Sequence, residues 1–270
     1  MAVPDQPVYA LSKFGRLVVL VTVILASTCY TATLLVATTL LPQMQGGLSA
    51  TQDEISWVMT FNILATAVAT PMTGWLVARF GRRATMMWCL AGFTSATLMC
   101  GLSTTLEQLV FWRIMQGGLG APLIPLSQTL LLDAYPRRQH NFVLSLYGMS
   151  NIMGPVIGPI LGGYLGERYG WQWGFFMVLP VSSLAYFLFQ VFLPPEETDR
   201  NGVALDWTGF LSLATAIAGV QLVLSRGQRL DWYESNEIWI ETIVAALAFY
   251  VFLTHSLTAP RPFLDLGLFR

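Results

Sequence analysis

An all-α polytopic membrane protein is the fold class this sequence predicts, on three observations. Of 270 residues, 54% are apolar and only 11% are charged, against about 25% charged in an average soluble domain. The apolar residues gather into eight runs of roughly 20, the length a helix needs to cross a bilayer. These runs do not alternate apolar with polar, which argues against a barrel, the other fold that satisfies every backbone polar group in lipid.

The predicted spans are approximately 17–41, 55–77, 84–103, 109–132, 142–165, 173–193, 206–224 and 239–257. The first follows Lys13 and Arg16, but it is longer than the 7–15 residues of a signal-peptide core, so it reads as a membrane helix. The second runs into GWLVARFGRR at 74–83. Here Gly74 and Gly81 permit close helix approach and a tight turn, while Arg79, Arg82 and Arg83 anchor one membrane face. An ordinary basic loop accounts for the arginines but not for the ordered glycines. The third span carries Cys89 and Cys100, which with Cys29 lack the paired spacing of a metal site and read as packing residues.

The fourth span holds a cation, Arg113, within VFWRIMQGG. Arg113, Gln116, Gly117 and Gly120 fall at i, i+3, i+4 and i+7, one helical face, and Ser127 continues the stripe. Such a stripe faces a neighbouring helix or a water-filled cavity, not lipid. A second reading stays open: Arg113 lies roughly 6–9 Å from the outer end of its span and could snorkel to the interface. The fifth span places Gly154, Gly158, Gly162, Gly166 and Gly170 every fourth residue, with Gly163, Pro155 and Pro159 among them. Small residues at that spacing bring two backbones together, and the prolines bend the helix.

After the sixth span, PPEETDRNGVALD at 194–206 is the most polar stretch between helices. It divides a six-helix unit, 1–193, from a helix pair, 206–257, through a linker at 194–205. Residues 258–270 read as the start of a connection to a further bundle that this sequence lacks. Ten Lys and Arg residues fall in alternate loops with both termini, against three, Arg168, Arg226 and Arg229, in the others. The positive-inside rule then puts both termini in the cytoplasm. Asp133 and Glu107 cap opposite ends of the fourth span and read as interfacial. His140 and His255, near cytoplasmic ends, are given no proton-relay role.

The net charge of −1 and the lack of a basic stripe speak against nucleic acid as a partner. No nucleophile–base set, phosphate loop or metal cluster can be read from the sequence. It therefore predicts neither an enzyme nor an ATPase, and no cofactor.

The loop at 74–83 resembles the signature of the major facilitator superfamily, with Gly74, Leu76, Arg79, Gly81, Arg82 and Arg83 on matching positions. Ala78 stands where that signature usually has an acid. The stretch RIMQGGLGAPLIPLSQTLLLDAYP is similar to the fourth-helix motif of drug:proton antiporters, which implies a part in proton coupling for Arg113, beside Gln116. GPVIGPILGG is similar to the antiporter motif of drug-exporting facilitators. With the Trp171, Trp173, Phe175 and Phe176 pattern, LSRGQRLDW and PFLDLGLF, the chain resembles the EmrB-type branch of fourteen-helix drug:proton antiporters. The eight spans match the six-helix N-terminal bundle of that branch plus its two extra helices.

That resemblance implies proton-coupled export of hydrophobic compounds by alternating access, at the inner membrane. It also implies a periplasmic adaptor and an outer-membrane channel as partners. Tyr30, Asn62 and Thr66 on the first two spans, with Gly117 and Gly120, are the candidates for a substrate cavity. Many relatives carry an acid near the position of Thr33, so a first-helix carboxylate is not the proton carrier here. The alternative is an isolated half-transporter that binds or assembles without transporting, since alternating access needs two bundles about one site.

Overall fold

The computed structural model describes residues 12–193, 204–259 and 262–264, and every regular element among them is helical. The first span is α1 (Lys13–Gly47), 35 residues long and so well beyond the run its hydropathy marks. The second is two helices, α2 (Gln52–Ala69) and α3 (Met72–Phe80), bent by 55° at the break between them. This corrects the single helix expected over 55–77. The cause is Pro71, which offers no N–H to the turn before it. Thr70 and Thr73 each donate a hydroxyl to a carbonyl at the bend, Thr66 O and Thr70 O, both at 2.7 Å.

The third span is α4 (Arg82–Leu102), and the fourth is α5 (Leu106–Gly120) followed by α6 (Leu123–Ala134), parted at Ala121 and Pro122. The fifth is α7 (His140–Tyr169), and the sixth is the short α8 (Trp173–Phe176) with α9 (Leu179–Phe192). The last two are α10 (Trp207–Arg226) and α11 (Asn236–Thr258). Among the described residues seven spans are long and apolar enough to cross a membrane, and the bent α2–α3 pair, taken as one span, makes an eighth. Most of the expected linker, residues 194–203, lies outside the described residues, as does most of 258–270.

The centre of the six-span unit is α1, which packs against α7, α9 and α6, while α5 lies between α2 and α4. The α10–α11 pair packs on itself and touches the rest through α10 against α2. The glycines of α7 set its distance from α1. A Cβ at Gly158 would stand 2.7 Å from the Ala32 carbonyl oxygen, and one at Gly154 would stand 2.8 Å from that of Thr28. Those obstacles are backbone, so no side-chain rotation relieves them. Gly163 lies on the flank of this contact and meets Thr39 of α1 at an ordinary 3.4 Å. Pro155 and Pro159 lie within α7 and do not interrupt its helical assignment.

One end of the bundle gathers the basic residues. There Tyr135 OH donates to Arg16 O at 2.9 Å, Arg83 Nη2 donates to Gln190 O at 3.0 Å, and Arg82 pairs with Asp133. Asp133, expected to be merely interfacial, is thus an ion-pair partner joining α6 to α4. Gly81 makes the turn between α3 and α4 at φ 84°, a conformation that favours glycine. Gly74 behaves otherwise. A Cβ there would meet nothing within 4 Å, so the close approach expected at this residue is not made among the described residues.

Candidate functional site

Arg113 is fully buried, at 0% exposure, and this removes the snorkelling reading. The α5 register turns the side chain inward between α2, α4 and α1. Its Nη1 donates to Gln116 Oε1 and, at 3.5 Å, to Thr33 O. Nε reaches Val58 O at 3.4 Å and Nη2 reaches Met59 Sδ at 3.6 Å. The guanidinium carbon also sits 5.9 Å from the centre of the Phe175 ring. No carboxylate is among its partners in the described residues. A charge in this setting is held by dipoles and a ring face alone, at contacts mostly near the outer limit of a hydrogen bond.

Gln116 passes the network on, donating through Nε2 to Thr97 Oγ1 on α4 at 2.7 Å. On the other side, Asn62 Nδ2 donates to the Arg113 carbonyl at 2.7 Å, while Thr66 Oγ1 donates to Asn62 O at 2.9 Å. Tyr30 OH then donates to Thr66 Oγ1 at 3.1 Å. Gly117 makes this seam possible, because a Cβ there would strike the Asn62 carbonyl and stand 2.9 Å from Asn62 Nδ2. Gly120 does the same for the Tyr30 ring. Asn62 Oδ1 is buried without a hydrogen-bond partner among the described residues. A second knot lies along α1 toward the basic end, where Ser27 Oγ is within hydrogen-bond distance of Ser127 Oγ and Tyr147 OH, each at 3.2 Å.

The structure therefore joins Arg113, Gln116, Tyr30, Asn62, Thr66, Gly117 and Gly120 in one interhelical seam. Tyr30, Asn62, Gly117 and Gly120 are buried in that packing, and Thr66 is half-buried. The loop residues Gly74, Arg79, Gly81, Arg82 and Arg83 belong to the basic end. The α7 set, Gly154, Pro155, Gly158, Pro159, Gly162 and Gly163, forms the α1 contact and its flank. Thr97 and Phe175 were not singled out as site residues by sequence reasoning. Thr97 is one of four hydroxyl residues on α4, with Thr85, Thr94 and Ser95; such a residue by default bonds its own preceding turn, and Thr97 does bond Phe93 O at 2.7 Å.

A bundle of membrane-length helices, packed on glycines around a buried ionisable centre, has the build of a secondary transporter. The chain belongs to the Major Facilitator Superfamily, whose sequence profile it matches over residues 20–268. The multidrug export protein EmrB of Escherichia coli K12 is 36% identical over 235 residues, 87% of this chain and 46% of that protein. The fatty acid resistance protein FarB of Neisseria gonorrhoeae is 34% identical over 235 residues, again 87% and 46%. The chain thus spans just under half the length of these curated relatives. Among solved structures, a peptide transporter POT in complex with sulfate superposes with a TM-score of 0.67 at 15% identity, covering 96% of this chain and 55% of that one. The proton:xylose symporter XylE gives 0.60 at 12% identity, covering 93% and 56%.

Proposed function

We propose that this chain forms the N-terminal part of a proton-coupled multidrug exporter that works by alternating access. The observation that carries the reading is Arg113, a fully buried cation with no carboxylate among its described partners. A proton or an anionic group arriving nearby would change its electrostatic balance strongly. In this reading Arg113 and Gln116 serve proton coupling. Tyr30, Asn62 and Thr66, with the small Gly117 and Gly120, meet substrate where α2 and α5 part. The relatives' names for multidrug export and fatty acid resistance support hydrophobic and weakly acidic compounds as substrates.

The basic loop from Gly74 to Arg83 acts as the cytoplasmic gate, and α7 seals the bundle against leak. Residues 1–193 form the transport bundle, 194–205 the cytoplasmic linker and 206–257 the added helix pair. Both termini lie on the cytoplasmic side of the inner membrane, and the activity is transport rather than enzymatic turnover. A periplasmic adaptor and an outer-membrane channel complete the export path in a two-membrane cell.

A second reading is a half-transporter that binds or assembles but does not transport by itself, because alternating access needs two bundles about one site. Reconstituting this chain with an imposed pH gradient and a lipophilic fluorescent dye separates the two. Dye movement that follows the gradient and vanishes in Arg113→Ala supports transport by the chain. Absence of movement, with movement restored once a second bundle is co-expressed, supports the half-transporter.

A further inference from the structure

At the end of the bundle opposite the basic loops, α10 and α11 meet α2 around a groove of about 570 Å³. Its rim carries charges of both signs. Arg226 bonds Glu237 at 2.7 Å and Glu241 at 2.9 Å, and Arg229 Nη1 bonds Asp53 Oδ1 at 3.1 Å. The Asp53 and Glu237 side chains are nevertheless 72% and 61% exposed, so their carboxylates still face outward. Arg229 makes all its bonds through Nη1, which leaves Nη2 and Nε without a hydrogen-bond partner among the described residues. The wall below the rim is apolar and aromatic, with Trp57 and Phe61 in edge-to-face contact.

The depth of this groove fits a lipid headgroup. The 20 residues of α10 rise about 30 Å at 1.5 Å per residue, the thickness of the hydrocarbon core. Arg226, its last residue, therefore stands at the boundary between acyl chains and headgroups, the level where tryptophan concentrates. The charges also discriminate. The groove is lined by two carboxylates, Asp53 and Glu237, and two guanidiniums, Arg226 and Arg229, a balance that complements a headgroup carrying both signs better than a purely anionic one.

We propose that this groove binds a zwitterionic phospholipid bearing a primary ammonium, with its phosphate on Arg229 and its ammonium on Asp53 and Glu237. A trimethylammonium head has no N–H to offer the two carboxylates, so phosphatidylcholine is the weaker ligand. Trp57 and Phe61 pack against the glycerol and upper acyl carbons. The lipid then wedges the α10–α11 pair against α2, the helix whose Asn62 holds the Arg113 carbonyl.

The test uses the purified, delipidated chain given dioleoyl phosphatidylethanolamine, phosphatidylcholine or phosphatidylglycerol separately, with retained lipid counted by native mass spectrometry. Phosphatidylethanolamine is expected to be retained about tenfold more strongly than the other two, the effect of one charge-assisted hydrogen bond. Glu237→Gln, which leaves the Arg229–Asp53 tie between α10 and α2 in place, is expected to remove that preference with unchanged helicity and melting temperature. Equal retention of the three lipids by the native chain would overturn the proposal. So would an undiminished preference in the variant, or displacement by soluble glycerophosphoethanolamine at the same concentration as the lipid.

Discussion

Arg113 and Gly158 act by different physical means, one through charge and the other through the absence of a side chain. Arg113→Met keeps much of the buried volume and removes the charge, a replacement that is often neutral or stabilising in protein interiors. Its melting temperature is expected to stay close to that of the parent, while proton-driven efflux by the complete transporter is lost. Normal efflux would return Arg113 to a structural role. Gly158→Ala, set against the Ala32 carbonyl, is expected to cost about 1–3 kcal/mol by overpacking. Gly148→Ala on the same helix meets open space and is expected to cost nothing measurable in the same thermal melt.

The inward stripe of Arg113, Gln116, Gly117 and Gly120 was legible because helical period places these residues on one face. Their partners were not. Val58 O, Thr33 O, Thr97 and the Phe175 ring come from four other stretches of chain, and no local pattern records which helices become neighbours. Gly74 failed as a contact for the same reason, since a small residue permits an approach without naming the helix that makes it.

At the level of elements, hydropathy found every span but missed how three of them are divided. The apolar character of 55–77 runs straight through Thr70 and Pro71, so composition saw one helix where backbone hydrogen bonding makes two at 55°. The α10–α11 pair adds a clasp that sequence reasoning gave no role. Asp206 caps α10 by accepting from Gly209 N at 3.0 Å, while His255 Nε2 at 2.9 Å and Phe263 N at 3.0 Å converge on the same carboxylate. The participants lie up to 57 positions apart in the chain, which is why neither histidine spacing nor polarity revealed them.

Desolvation pushes the Asp206 carboxyl up, but the hydrogen bonds from Gly209, His255 and Phe263 outweigh it and hold the group below its usual value. The clasp is therefore fully present above the ordinary carboxylate value of about 3.9 and is lost as pH falls through the lower folded value. Hydrogen exchange at the start of α10 should accelerate over that acidic window, and Asp206→Asn should flatten the profile. An unchanged pH dependence in the variant would remove Asp206 as its source.

For the whole molecule, the gathering of basic residues at one end is the part most fully written in the sequence. It rests on where Lys and Arg lie and not on any contact. Labelling can test the proposed orientation against little background, because Cys29, Cys89 and Cys100 are all buried. A cysteine at the exposed Gln139 should react only from the cytoplasmic side, and one at the exposed Thr104 only from the opposite side. The reverse pattern would invert the topology, and with it the assignment of the Arg79 loop to the cytoplasm.

The burial of Arg113 has one further consequence. It is complete with only these helices present, and adding a second bundle to this conformation can lower a residue's exposure but not raise it. The charge is thus insulated from the bathing solution by the described helices alone. A guanidinium-directed reagent should modify Arg113 at a rate set by the parting of α2 from α5, and not by reagent concentration once the reagent is in excess. That saturating rate would time the opening of the seam itself, independent of any substrate.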